Sequence, residues 1–204
     1  MSDTEGAFSK SRLGAFSDGV IAVIIITIMV LELKAPESAE VGDLLKLWPS
    51  FAIYLVSFVF VAVYWINHHS ILTLATRITP GIIWANNTLL FCLSLIPFAT
   101  AYVANTSLGP LPMEVYGALQ LACSAGFALT FNTIVDQRRD DSEFMRNLVA
   151  RRRRKNWLSV GAYALAVVAA TVSPLSALAI FVAVLVAYVV PGLFADRQRE
   201  GRRS

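Results

Sequence analysis

The chain has 204 residues, of which 56% are apolar and only 15% are charged, and its mean hydropathy is +0.62. A soluble domain of this length is usually about half apolar and a quarter charged. The apolar residues are also gathered into blocks of about 20 residues, the length that spans a bilayer as a helix. Composition therefore argues against a soluble enzyme or a nucleic-acid-binding protein and predicts an all-α polytopic membrane protein.

Six apolar blocks are predicted to be transmembrane helices, so that residues 1–204 form a single six-helix membrane domain. The blocks are residues 14–33, 48–66, 82–104, 114–135, 157–172 and 175–194. The first is about full-span length and is interpreted as a retained helix rather than a cleaved signal peptide. The last two are separated only by Ser173 and Pro174. They are predicted to form a tight hairpin rather than one kinked helix, because about 38 continuous apolar residues exceed a single span.

The cations are distributed very unequally in this topology. An even number of spans places both termini on one side, and 15 of the 17 Lys and Arg residues lie on that side. Only Lys34 and Lys46 lie on the other. The positive-inside rule then predicts cytoplasmic N- and C-termini.

Residues 136–156 are predicted to be a polybasic cytoplasmic connector between the fourth and fifth helices. Its run Arg151-Arg152-Arg153-Arg154-Lys155 is most simply a topology determinant. The alternative is a surface for anionic lipid, with about 1 kcal/mol gained for each cation near the headgroups. Cys92 and Cys123 lie within apolar blocks and show no disulfide or metal-ligand spacing.

Ionisable and amide side chains inside the apolar blocks are costly and mark candidate functional positions. Neighbouring helices run in opposite directions. The polar side chains near the start of helix one, the end of helix two and the start of helix three therefore lie at the same depth in the membrane. We expect a polar layer there, in which Arg12 or a histidine pairs with Asp18. The layer either only holds the helices together or takes part in ion handling. Its members are Arg12, Ser17, Asp18, Asn67, His68, His69, Asn86 and Asn87.

Other chemistry for this layer is less well supported by the sequence. Adjacent His68 and His69 point about 100° apart on a helix, which does not suit a bis-histidine haem or a metal site, and the chain has no further histidine. A hydrolase triad of Ser17, Asp18 and a histidine lacks a nucleophile elbow. We therefore predict no enzyme activity and no cofactor. A proton-coupled secondary transporter using Asp18 with His68 or His69 stays open as the alternative to a channel.

Helix one also has an apolar stripe. Val23, Thr27 and Val30 follow the i, i+4, i+7 pattern of one helix face. Asp18 lies five residues before Val23, which places it about 140° around the helix. If the stripe faces a central axis, Asp18 therefore faces the neighbouring helices.

The segment Arg12-Leu13-Gly14-Ala15-Phe16-Ser17-Asp18-Gly19-Val20-Ile21-Ala22 resembles the signature of the transmembrane protein 175 family of potassium channels. That family has an Arg followed by Phe-Ser-Asp near the start of its first helix, here Arg12 and Phe16 to Asp18. The histidines that end the second block and the Leu-Ile-Pro-Phe stretch from Leu95 strengthen the resemblance.

The resemblance implies a homotetramer in a prokaryotic plasma membrane, in which the first helices line a pore for potassium without a re-entrant filter loop. Bulky apolar side chains on that helix would constrict the pore beside a threonine. Carried over by distance from Asp18, the pore-lining positions are Val23, Thr27 and Val30, with Ile26 as the alternative to Thr27. Four such side chains around an axis would form an apolar constriction that dewets when narrow. The acids Glu32, Glu37, Glu40 and Asp43 would concentrate cations at the outer mouth.

Overall fold

The computed structural model describes residues 9–32, 35–36, 40–106, 108–137 and 142–200. Within these ranges the chain is all-α, as predicted, with no strand. Its helices, in chain order, are α1 (Lys10–Glu32), α2 (Val41–Lys46), α3 (Trp48–Leu72), α4 (Pro80–Ser94), α5 (Ile96–Asn105), α6 (Pro110–Val135), α7 (Glu143–Val172) and α8 (Pro174–Glu200).

Four helical stretches of the described chain are long and apolar enough to cross a bilayer. They are Trp48–Leu72, Pro80–Asn105, Pro110–Val135 and Glu143–Val172. α1 is also 23 residues long, and the apolar part of α8 occupies Pro174–Val190. The predicted blocks therefore all correspond to helices, and α2 is a short additional helix between the first two.

The third predicted block is divided into two helices at Leu95. Pro97 lies at the second position of α5 and has no N–H, so it cannot complete the helical hydrogen bond to the residue four positions earlier. The Leu95 N–H instead bonds to the Cys92 carbonyl at 3.2 Å, and α5 continues as far as Asn105. The break changes the path of one continuous 26-residue stretch rather than creating another crossing.

Two helices extend further than the hydropathy pattern suggested. α3 continues past residue 66 to Leu72, so His68 and His69 lie within the helix. α7 begins at Glu143, which makes most of the predicted 136–156 connector helical. Arg and Lys are good helix formers, and the Ser142 side chain caps the helix by accepting a hydrogen bond from the Met145 N–H at 3.3 Å.

α7 and α8 form a hairpin rather than one kinked helix. Ser173 between them is extended (φ −153°, ψ 114°), which interrupts the helical backbone. Lys155 near the start of the pair donates to the Ala187 carbonyl near its end at 3.1 Å. Contact between positions 32 residues apart requires the two helices to lie antiparallel.

The interior has two apolar clusters. One joins α1, α3, α4 and α6 around residues such as Ile21, Leu89 and Phe131. The other joins α3, α5, α6, α7 and α8 around a set of interacting aromatic rings (Phe60, Tyr116, Tyr163 and Phe181). Between α4 and α6 the helices approach closely at Gly126, where a Cβ would lie 3.3 Å from the Leu89 Cα. α1 therefore contributes to the first cluster only, and the second cluster is formed by other helices.

Candidate functional site

One face of α1 is buried against the rest of the bundle. Leu13, Ser17, Ile21 and Ile24 are all buried, and their spacing of three and four residues places them on a single stripe of the helix. Ile21 is 1% exposed, and it belongs to the apolar cluster that includes Ile82 and Leu89 of α4. This stripe fixes the rotation of α1 about its own axis.

Ser17 belongs to a buried hydrogen-bond chain that joins three helices. Its Oγ donates to the Leu13 carbonyl of α1 at 2.9 Å and accepts from Asn86 Nδ2 of α4 at 3.2 Å. Asn86 Oδ1 lies 2.6 Å from His68 Nε2 of α3. Since that oxygen is an acceptor, His68 is the donor in this bond, through Nε2. We call Ser17, Asn86 and His68 the polar anchor.

Asp18 has a different partner from the one expected. Its Oδ1 accepts a hydrogen bond from Trp65 Nε1 of α3 at 2.9 Å, and no bond to Arg12 or a histidine occurs in the described part of the chain. The expectation of pairing with Arg12 or a histidine was therefore wrong. Arg12 lies a turn and a half before Asp18 on α1 and its side chain is exposed.

Trp65 was not identified from the sequence, although two signals pointed to it. It precedes His68 by three residues, so both side chains leave α3 towards the same side. Indole also carries one polar N–H on a large apolar body, and inside an apolar segment that N–H usually finds an acceptor. An acid on a neighbouring helix is such an acceptor.

Several predicted members of the polar layer lie outside the anchor. His69 is exposed, because it is rotated about 100° from His68 on the same helix. Asn87 is half-buried, and no hydrogen bond of its side chain occurs within the described residues. Asn67 donates to the Val63 carbonyl at 2.7 Å. One residue of each adjacent pair faces α1, and its neighbour faces elsewhere.

The arrangement does not suit hydrolysis or metal binding. The Asn86 side chain lies between Ser17 and His68, so the serine has no adjacent base, and Asp18 is bonded to Trp65 rather than to an imidazole. In the described ranges, no three His, Cys, Asp or Glu side chains come together as a metal site. The polar anchor is suited to holding α1 against α3 and α4.

The opposite face of α1 is largely exposed among the residues that the structure describes. Val23 is 62% exposed, Ile26 is 56% exposed and Phe16 is 54% exposed. Thr27 lies between the two faces, and its Oγ1 donates to the Val23 carbonyl at 2.8 Å. The side chain of Val30, the last predicted member of the stripe, lies outside the described residues.

Membrane-length helices joined by a buried polar anchor are the features of a polytopic membrane protein. The sequence profile of the family described as endosomal/lysosomal potassium channel TMEM175 matches residues 12–97. This range includes most of α1 and all of α3 and α4, with the complete anchor. A potassium channel of a Chryseobacterium species is 34% identical over 183 residues, which are 90% of this chain and 94% of the relative. The chain belongs to the TMEM175 family.

Other relatives agree with this assignment. A potassium channel of Chamaesiphon minutus is 38% identical over 132 residues, which are 60% of this chain and 63% of that protein. The crystal structure of a lysosomal potassium-selective channel TMEM175 homologue from Chamaesiphon minutus superposes with a TM-score of 0.78, at 28% identity over 89% of this chain and 97% of the other. The crystal structure of a variant of the potassium channel MtTMEM175 shares the fold, with a TM-score of 0.62. It is 17% identical, and the match covers 96% of this chain and 97% of that one.

These comparisons confirm the family that the Arg12 to Ala22 segment indicated. The chain is an integral membrane protein of the type found in bacterial membranes, and its family consists of channels rather than enzymes.

Proposed function

We propose that the protein is a potassium-permeable channel, formed as a homotetramer with a pore lined by the first helix. Of the observations that support this, the uncovered apolar face of α1 is the most informative. Val23 and Ile26 are exposed in the single chain, although the polar anchor fixes the opposite face. A helix held firmly by one face is suited to presenting the other along a symmetry axis.

The proposed topology has six spans with cytoplasmic termini. α1, α3, the α4–α5 stretch, α6, α7 and α8 would each cross once, and α2 would lie at the outer surface. The cation distribution supports this orientation, since Lys34 and Lys46 are the only cations in the sequence that fall on the outer side. On this topology the polar anchor lies towards the cytoplasmic end of the pore.

The constriction would be formed by apolar side chains. Four copies of Val23, with Ile26 and Val30 in the following turn, would form rings around the axis that dewet when narrow and conduct when they widen. Thr27 donates its hydroxyl proton to the Val23 carbonyl, which leaves the oxygen lone pairs available to a partly dehydrated cation. At the outer mouth, Glu40 and Asp43 would add negative charge that attracts potassium, and Asp43 also forms an ion pair with Lys46 at 2.6 Å.

Ion flux through liposomes containing the purified protein tests this proposal. We expect Val23→Asn to increase potassium flux, because a polar ring stays hydrated, and Thr27→Trp to abolish it by filling the pore. The matched controls are Val168→Asn and Thr171→Trp on the exposed face of α7, which should conduct as the unmodified protein does. If potassium flux is unchanged in both α1 variants, α1 does not line the ion path.

Two further measurements separate the channel from its alternative. Native mass spectrometry should give a particle of four times the 22.3 kDa chain. Under bi-ionic potassium and sodium conditions, the reversal potential should be independent of a pH gradient. A current that required the pH gradient and was lost in His68→Gln would instead identify a proton-coupled transporter that uses Asp18 and His68 or His69.

A further inference from the structure

A second polar site lies on the other side of α3 from α1. A partly open cavity of about 140 Å³ is lined by residues of α3, α6, α7 and α8. Its polar lining comes mainly from Arg152, Lys155 and Asn156 on α7 and Tyr188 on α8, together with Asn67 and Ser70 of α3. The polar anchor uses none of these residues, and the proposed pore does not pass through the cavity.

The charged side chains that line this cavity are both cationic. Arg152 and Lys155 both line it, and none of the described side chains that line it is acidic. Two cations facing one partly buried space repel each other unless an anion lies between them. Lys155 donates one hydrogen bond to the Ala187 carbonyl and lies 3.7 Å from the centre of the Tyr188 ring. It therefore has a fixed position and further donor capacity.

The other cations of the same run are directed elsewhere. Arg153 forms an ion pair with Asp136 at 2.7 Å, and Arg151 and Arg154 are exposed. Only Arg152 and Lys155 of the five line the cavity. The helical register thus separates two cations from a run that the sequence alone presents as uniform.

Asn156 supplies an independent observation. It is only 6% exposed, and its Oδ1 accepts from the Tyr188 hydroxyl at 3.5 Å. Its Nδ2 is buried and has no hydrogen-bond partner within the described residues. A buried amide N–H₂ without an acceptor is costly, and this one lines the same cavity as the two cations.

We propose that this cavity binds the phosphate group of an anionic ligand. A guanidinium can donate two parallel hydrogen bonds to a phosphate, an ammonium adds a compact charge, and the Asn156 amide supplies a neutral donor. The adjoining apolar cleft has a volume of only about 20 Å³, close to that needed for one water molecule. It is too small for an acyl chain, so only a phosphate-bearing end enters, from a lipid headgroup or from a soluble phosphate.

Ligand binding to the purified full-length protein in an uncharged detergent tests the proposal. The probes are dihexanoyl phosphatidylglycerol, inorganic phosphate and zwitterionic dihexanoyl phosphatidylcholine, and the readout is the dissociation constant from calorimetry. We expect saturable binding of at least one anionic probe. Removal of a charge-assisted hydrogen bond in Arg152→Gln should weaken that binding about tenfold or more. Arg154→Gln makes the same charge change outside the cavity and should have less than about a twofold effect.

Further variants distinguish the cavity from general surface charge. Asn156→Leu changes no charge and should also weaken binding, and Arg152→Lys should restore part of the loss in Arg152→Gln. Thermal unfolding without ligand verifies that each variant is folded, and if Asn156→Leu does not fold, Arg152→Gln against Arg154→Gln still decides the question. Equal losses in those two variants, or no saturable binding of either anionic probe, would overturn the proposal and leave a hydrated cavity. Binding of phosphatidylglycerol alone would identify the lipid as the phosphate source, and binding of inorganic phosphate would identify a soluble one.

Discussion

The two faces of α1 differ in burial and in hydrogen bonding. One face carries Leu13, Ser17 and Ile21, which are buried, and Ser17 is hydrogen-bonded across two helices. The other carries Val23 and Ile26, which are apolar and more than half exposed in the single chain. Both faces are built mainly from aliphatic residues, so hydrophobicity alone does not separate them.

The difference shows where the constraints on this helix come from. The buried face is determined within one chain, by packing against α3, α4 and α5 and by the polar anchor. The environment of the exposed face is determined by what surrounds the chain, which in our proposal is a water-filled pore between four copies. Substitutions on the first face should therefore change stability, and substitutions on the second should change flux with little effect on folding.

The largest expected effect on stability comes from Ile21→Ala. Ile21 is fully buried in the cluster between α1 and α4, and the cavity left by the shortened side chain should reduce the free energy of unfolding by about 2–3 kcal/mol. Val23→Ala, on the exposed face, should cost less than about 0.5 kcal/mol. Both are measured by unfolding of the purified protein in mixed micelles. Comparable losses in the two variants would mean that Val23 is also packed, and would remove the distinction between the faces.

A smaller effect is expected from the polar anchor. Asn86→Leu removes the acceptor of His68 Nε2–H and the donor to Ser17, leaving buried polar groups without partners. We expect a loss of about 1–2 kcal/mol, since interhelical hydrogen bonds in membranes are individually modest. Asn87→Leu is the matched control, because that side chain is half-buried and outside the anchor, and it should change stability by less than about 0.5 kcal/mol. A greater loss in the control would show that the anchor contributes little to holding α1.

The sequence was sufficient for the all-α class and for the approximate positions of the long apolar helices, because these depend on the length and composition of long segments. The family was indicated by the short segment from Arg12 to Ala22. The sequence did not predict which member of each adjacent polar pair faces α1. His68 and His69 are chemically identical, and only the packing of α3 decides that the first is buried. The partner of Asp18 was also missed, since charge suggested Arg12 whereas the helix geometry brings Trp65 within 2.9 Å. The basic run 151–155 is uniform in sequence, yet the turn of α7 places its members in three different environments.

The smallest predicted effect concerns the bond between Trp65 and Asp18, which lies at the boundary between the two faces. Trp65→Phe keeps an aromatic ring but removes the N–H donor to Asp18. Because this bond is exposed in the single chain and interhelical hydrogen bonds are individually modest, we expect a loss of only about 0.5–1 kcal/mol in the free energy of unfolding. Trp84→Phe is the control, since Trp84 is an exposed tryptophan of α4 whose loss of volume is the same. If the two variants unfold identically while Trp65→Phe alone alters potassium flux, the bond acts on the orientation of α1 in the pore rather than on its attachment to the bundle.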